Sequence, residues 1–113
     1  MLVVILLGLA FPLHAQEMPR QVIFGSAGDL QLTQGKKDDH HPAWSPDSKK
    51  IIFSSKRTGN FDLWMMDADG ANQRQLTTDP ANESQPCWSR EGYLYYVRET
   101  AQGKANIFRI KAP

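Results

Sequence analysis

The chain has 113 residues, and its 13 basic and 12 acidic side chains leave a formal net charge of +1. That length holds one small domain, and the interspersed charge excludes the basic patch of a nucleic-acid-binding surface. A single cysteine, Cys87, excludes an intrachain disulfide, and no Cys/His spacing reads as a zinc site.

The chain opens with MLVVILLGLAFPLHAQ, in which Leu2 to Leu13 carry no charge. A membrane-spanning helix needs roughly 20 apolar residues. The shorter run fits the apolar region of a secretory signal, with Leu13-His14-Ala15 as the cleavage site. The expectation is therefore a signal peptide over residues 1–15 and no membrane span after its removal. Export without disulfides fits a bacterial periplasm.

Past the leader a period governs the sequence. Trp44 and Trp88 stand 44 residues apart, as do Pro42 and Pro86, and Leu32-Thr33 and Leu76-Thr77. PAWSPDSKKIIFSS thus lies over PCWSREGYLYYVRE, and DLWMM over NIFRI. A repeat of roughly 40–45 residues with four short strands per unit is the spacing of β-propeller blades. The fold class is all-β: a partial β-propeller of about two four-stranded antiparallel blades plus a remnant. Residues 16–34 supply the end strands of a preceding blade, 35–78 form the first blade repeat, and 79–113 form an incomplete second.

In chain order the strands are expected at Pro42–Ser45, Lys49–Ser55, Phe61–Asp67 and Gln73–Thr77. They recur at Pro86–Ser89, Gly92–Arg98 and Asn106–Lys111. KIIF, LWMM and YLYYV are near-continuous apolar runs, the pattern of strands covered on both faces. The turns fit as well. SPDS puts Pro46 and Asp47 at the two central positions, DADG puts Gly70 where a positive φ is wanted, and Gly92 takes the slot of Ser48. No stretch combines helical apolar spacing with caps, so no helix is expected in the mature part.

These residues resemble the TolB-type β-propeller repeat, a relative of WD-repeats. The resemblance rests on Pro42, Trp44, Ser45, Pro46 and Asp47, then Ile51 or Ile52 and Phe53. It continues through Asp62, Leu63, Met66, Asp67, Gly70, Arg74, Leu76 and Thr77. The second copy keeps Pro86, Trp88, Ser89 and Gly92 and departs at Arg90 and Glu91. The resemblance covers roughly residues 20–112 and implies periplasmic localisation and protein binding, with a link to the Tol–Pal envelope system.

Candidate chemistry is sparse. DDHH, Asp38 to His41, offers carboxylates beside imidazoles, so Asp39, His40 and His41 are weak metal candidates. Four adjacent residues do not converge on one ion, and the second copy has Asn82-Glu83-Ser84-Gln85 there, so an inter-strand loop is the simpler reading. DADG lacks the further carboxylates of a calcium loop. No Ser/His/Asp or paired-carboxylate arrangement emerges, so no enzyme activity and no cofactor are expected. Trp44, Trp88 and Trp64 are expected to pack between blades, and Cys87 to be a small buried hydrophobe. The leading reading is a non-catalytic protein-binding module with an envelope protein as partner, presenting the loops Asp38–His41 and Thr78–Gln85. The alternatives are a section of a longer propeller, from TolB, a peptidase or a sensor, and a metal- or ligand-binding module at Asp38–His41. Unpaired strand edges on an open arc would also favour self-association.

Overall fold

Lys50–Ser55 and Asp62–Asp67 are the central strands of a four-stranded antiparallel sheet in the computed structural model, which describes residues 28–113. The expected signal peptide and most of the segment assigned to a preceding blade lie outside the described residues. In chain order the strands are β1 (Asp39–Trp44), β2 (Lys50–Ser55), β3 (Asp62–Asp67), β4 (Arg74–Gln75), β5 (Asn82–Trp88), β6 (Tyr93–Glu99) and β7 (Ala105–Lys111). The first four form one sheet in the order β1-β2-β3-β4, here blade 1. The last three form a second, β5-β6-β7, here blade 2. All pairings are antiparallel. Leu32–Pro113 make one compact unit.

The repeat is written in the backbone as well as in the side chains. Positive φ angles fall in pairs 44 residues apart: Gly28 with Asn72, His41 with Gln85, Ser48 with Gly92, and Gly59 with Gly103. The His41 and Gln85 pair marks a feature that the strand expectations missed. In β1 the register passes from His40↔Ser54 to Ala43↔Ile52, and in β5 from Ser84↔Val97 to Cys87↔Tyr95. Two residues therefore oppose one in each blade, which is a β-bulge. Each bulge ends in a proline, Pro42 or Pro86, and a bulge tolerates a residue without an N–H. The first strands accordingly start at Asp39 and Asn82, not at the prolines, so most of Asp38–His41 and the second half of Thr78–Gln85 are strand, not loop. β4 is shorter than expected, with two residues.

The first turns also differ. Ser48 N donates to Ser45 O and Gly92 N to Ser89 O, at 2.9 and 3.1 Å. The enclosing bond runs from Ser45 N to Lys50 O in blade 1 but from Ser89 N to Tyr93 O in blade 2. Blade 2 thus uses a three-residue hairpin loop ending in a left-handed glycine, one residue shorter than its counterpart. The β6–β7 connection restores the phase: Ser55 pairs with Asp62, whereas Arg98 pairs with Asn106. Gly70 is required for two reasons. Its φ is +91°, and a Cβ there would meet the Leu32 carbonyl oxygen at 2.9 Å.

Strand alternation gives each blade two apolar faces. On one face of blade 1, Ile52 and Met65 pack with Leu94 of blade 2, joined by Leu76, Trp88 and Ile110. On the other, Ile51, Phe53 and Met66 pack with Leu32 and Trp64. Leu32 precedes Leu76 by one period, and each sits on the face that the following blade turns backwards along the chain.

The tryptophans divide unexpectedly. Trp88 packs against the layer between the blades, whereas Trp44 is 56% exposed. Pro86 is buried and Pro42 exposed. The reason is positional: blade 1 covers the backward face of blade 2, and no described blade covers that of blade 1. Cys87 is exposed rather than buried, because it pairs with Tyr95 on the opposite side of its sheet from Trp88. Ile52→Ala or Leu94→Ala should cost about 2–5 kcal/mol and Trp88→Ala about 3–5 kcal/mol. Trp44→Ala should leave the unfolding midpoint of dilute protein nearly unchanged. Urea denaturation followed by circular dichroism checks this, and equal costs for the two tryptophans would contradict it.

Candidate functional site

The polar side chains gather at the end of the sheets where β1 and β5 begin. Asp39 stands one period before Glu83, and each carboxylate meets an arginine. Arg57 Nη2 donates to both oxygens of Asp39 at 3.3 Å, while its Nε reaches Ser55 Oγ at 2.8 Å and its Nη1 reaches Gln73 Oε1 at 2.8 Å. Arg98 donates to Glu83 Oε1 through Nε at 3.0 Å and Nη2 at 2.8 Å, and its Nη1 pairs with Asp79 at 3.2 Å. Each guanidinium also lies over two rings. Arg57 covers Phe53 and Trp64, at 5.4 and 4.5 Å from the ring centres. Arg98 covers Tyr96 and Phe108, at 5.7 and 4.4 Å. Stacked on rings while its separate nitrogens reach different partners, an arginine is suited to this place and a lysine is not.

Between the two arginines lies a buried clasp. Asp62 is 2% exposed and accepts from Thr58 Oγ1, Gln75 Nε2 and Asn60 Nδ2, at 2.9, 3.0 and 3.3 Å. Asn60 also donates to the carbonyls of Asp79 and Ala81. Glu83 N donates to Phe61 O at 2.7 Å, and Phe61 N to Asn82 Oδ1 at 3.0 Å. The β2–β3 loop of blade 1 is thereby tied to the first strand of blade 2.

Glu83 is the electrostatically costly member. It is fully buried, and its Oε2 makes no well-formed hydrogen bond. Burial pushes its carboxyl above the ordinary glutamate value of 4.5, against the opposing pull of Thr77 and Arg98. Burial alone would lower Arg98, but Glu83, Tyr96 and Asp79 outweigh it and hold the guanidinium above its ordinary range.

The remaining sequence candidates hold strands and turns together. Asp39 is taken by Arg57. The Nδ1 atoms of His40 and His41 lie 2.7 Å apart, and His40 packs on the Phe61 ring. Among the described residues, no group of three or more His, Cys, Asp or Glu is placed to hold a metal ion. Ser45 Oγ donates to Asp47 at 2.7 Å and accepts from Lys50 N, so this serine closes the first turn. Asp47 is held below its ordinary value, first by Ser45 and then by the Lys49 amide. Asp67 is likewise lowered, first by Lys50 and then by Asn72, and it caps the DADG turn through Gly70 N to Asp67 O. Thr77 Oγ1 accepts from Leu63 N at 2.9 Å and so extends the pairing past β4.

A sequence profile for the TolB beta propeller domain matches residues 26–113. The chain belongs to this family. Among curated relatives, the Tol-Pal system protein TolB of Anaeromyxobacter dehalogenans is 47% identical over 45 residues, covering 40% of this chain and 10% of that protein. An uncharacterized peptidase of Bacillus subtilis, YuxL, is 37% identical over 68 residues, covering 59% of this chain and 10% of that one. A solved structure assigned as TolB from Agrobacterium tumefaciens superposes with a TM-score of 0.60 at 24% identity, over 71% of this chain and 36% of that chain. The chain thus spans about a tenth of those curated relatives. The shared property is the TolB-type blade, which occurs both in TolB proteins and in a protein named as a peptidase.

The stacked arginines were invisible to the period of this TolB-type repeat. Asp39/Glu83 and Trp64/Phe108 keep the 44-residue spacing, but Arg57 and Arg98 are 41 apart. Arg98 comes from β6 itself, whereas Arg57 comes from the loop after β2. An acid at the head of each first strand, followed by an arginine near the end of the second, is the signal that finds them.

Because folded Glu83 holds its proton more tightly than the unfolded chain does, its protonation stabilises the fold. That contribution is complete below 4.5 and is lost as pH rises through the raised folded value. Asp47 and Asp67 act in the opposite sense, and only below 3.8. Thermal melts should therefore show stability rising as pH falls toward 4.5, and Glu83→Gln should flatten that slope. An unchanged slope in the variant would remove Glu83 as its source.

Proposed function

We propose that this chain is a non-catalytic, protein-binding TolB-type propeller module of the bacterial periplasm, with a Tol–Pal envelope link. The observation that carries this reading is how the polar side chains are used. Asp39, Asp62, Glu83, Arg57 and Arg98, the groups most able to do chemistry, bond one another and neighbouring polar side chains. What remains to meet a partner is the end of the blades itself, with the loops Lys56–Phe61, Thr77–Ala81 and Thr100–Lys104. Connections displayed on a rigid scaffold are where binding residues concentrate. Lys56, Lys104 and Phe61 supply charge and an aromatic surface there, Lys56 lying 5.7 Å from the Phe61 ring centre.

A second reading, one section of a longer propeller, is supported by the short share of its relatives that the chain spans. The metal-binding alternative at Asp38–His41 is weaker, because Asp39 is occupied by Arg57 and the Nδ1 atoms of the two imidazoles hydrogen-bond each other.

One experiment addresses location and binding together. The chain is expressed in a Gram-negative cell with a photo-crosslinking residue at Lys56 or Gln102, and the fractions are analysed by mass spectrometry. Export predicts a periplasmic product with a new N-terminus near Gln16, and binding predicts adducts to Tol–Pal proteins. Intact Met1 in the cytosol, or irradiation that yields no envelope adduct, would overturn the proposal. A mature product much longer than 113 residues from the native locus would favour the second reading.

A further inference from the structure

We infer that copies of this chain associate head to tail, the forward face of blade 2 in one copy seating on the backward face of blade 1 in the next. The inference is independent of any envelope partner. It rests on an interface already present inside the chain. There, blade 2 offers Trp88, Leu94 and Ile110 to Ile52 and Met65 of blade 1. The repeat gives blade 1 the same backward face, built from Trp44, Ile51 and Met66 through the pairings Trp44↔Ile51 and Ile51↔Met66. Beside Trp44 that face holds an apolar groove of about 270 Å³ lined by Leu32, Pro42, Ala43, Trp44, Ile51 and Met66. Trp44 is 56% exposed at its rim.

The complementary surface is on blade 2. Alternation puts Tyr95, Val97, Ile107 and Arg109 opposite the packed layer, through the pairings Tyr95↔Arg109 and Val97↔Ile107. Ile107 is 76% exposed, the largest exposure among the large apolar side chains described. These positions are the structural counterparts of Ile52, Ser54, Leu63 and Met65 in blade 1, the surface that accepts the next blade within the chain.

Such a contact is heterologous, so it grows until the rotation closes a ring or forms a filament.

The two faces can be blocked separately. Trp44→Glu disables the backward face and Ile107→Glu the forward face. Both sites are exposed, so both variants should melt like the parent in dilute solution. Light scattering coupled to size-exclusion chromatography should show the parent chain as a concentration-dependent oligomer and each variant alone as a monomer. An equimolar mixture of the two variants should form a dimer and nothing larger, because each retains the face that the other lacks. A parent chain that stays monomeric across a wide concentration range overturns the inference. If Trp44 in that monomer is also shielded from a collisional quencher, the N-terminal residues of the same chain are the occupant. Variants that oligomerise alone, or that fail to pair when mixed, also overturn it.

Discussion

The layer of Ile52, Met65 and Leu94 is what the rest of the molecule depends on. Ile52 and Leu94 are completely buried, and Met65 is 5% exposed. They come from β2, β3 and β6, so the layer joins two sheets that share no strand. A blade of three or four strands is too thin to hold a core of its own, since each strand gives half its side chains to each face. Stability therefore resides between blades, not within them, as in other repeat architectures. The near-continuous apolar runs KIIF, LWMM and YLYYV are the sequence expression of that requirement.

With the apolar layer set, the polar end of the blades serves to hold the strand termini in register. A stacked arginine does this economically. It lies flat on two rings that already belong to the sheet, and its donors reach back to the acid that begins the first strand. In blade 2 this draws Glu83 fully out of water. Removing Arg98 is far more damaging than the pair's net contribution suggests, since Glu83 is left buried without its partner. The arrangement recurs in blade 1 with Asp39 and Arg57, but less deeply: the Arg57–Asp39 contacts are 3.3 Å and Asp39 keeps 14% side-chain exposure. The difference follows coverage. Blade 1 packs over the start of β5, whereas no described blade covers the start of β1.

The same distinction explains what was legible in the sequence. Strand number, order and most of the turns followed from the period, because they are fixed by residues whose roles are local: Pro46 and Asp47 in a turn, Gly70 against Leu32. The starts of β1 and β5 were not legible, because a proline and a polar run read as a break in the strand while the bulge at His41 and Gln85 absorbs both. The exposure of Trp44 was not legible either. Its repeat position states which surface it belongs to, and only the presence of a neighbour decides whether that surface is buried. The exposure of Cys87 turned on the bulge, which sets the side of the sheet that each following residue faces. The arginine stacks escaped because the two arginines hold different places in their blades: Arg98 lies within β6, whereas Arg57 comes from the loop after β2, so the period does not relate them.

The residues that carry the family resemblance are engaged mainly in turns and in packing. In blade 1, Ser45 and Asp47 hold the first turn, Asp67 and Gly70 the DADG turn, and Thr77 the bond to Leu63, while Leu76 joins the layer between the blades. The loops at the polar end differ in how firmly they are held. Lys56, Arg57 and Asn60 are held from within, by the Phe61 ring, Asp39 and the carbonyls of Asp79 and Ala81. By contrast, Thr100–Lys104 close on themselves, through Gly103 N to Thr100 O and Lys104 N to Thr100 Oγ1. That loop can change without disturbing the layer beneath it, so a difference in partner between two proteins sharing this blade should appear there first.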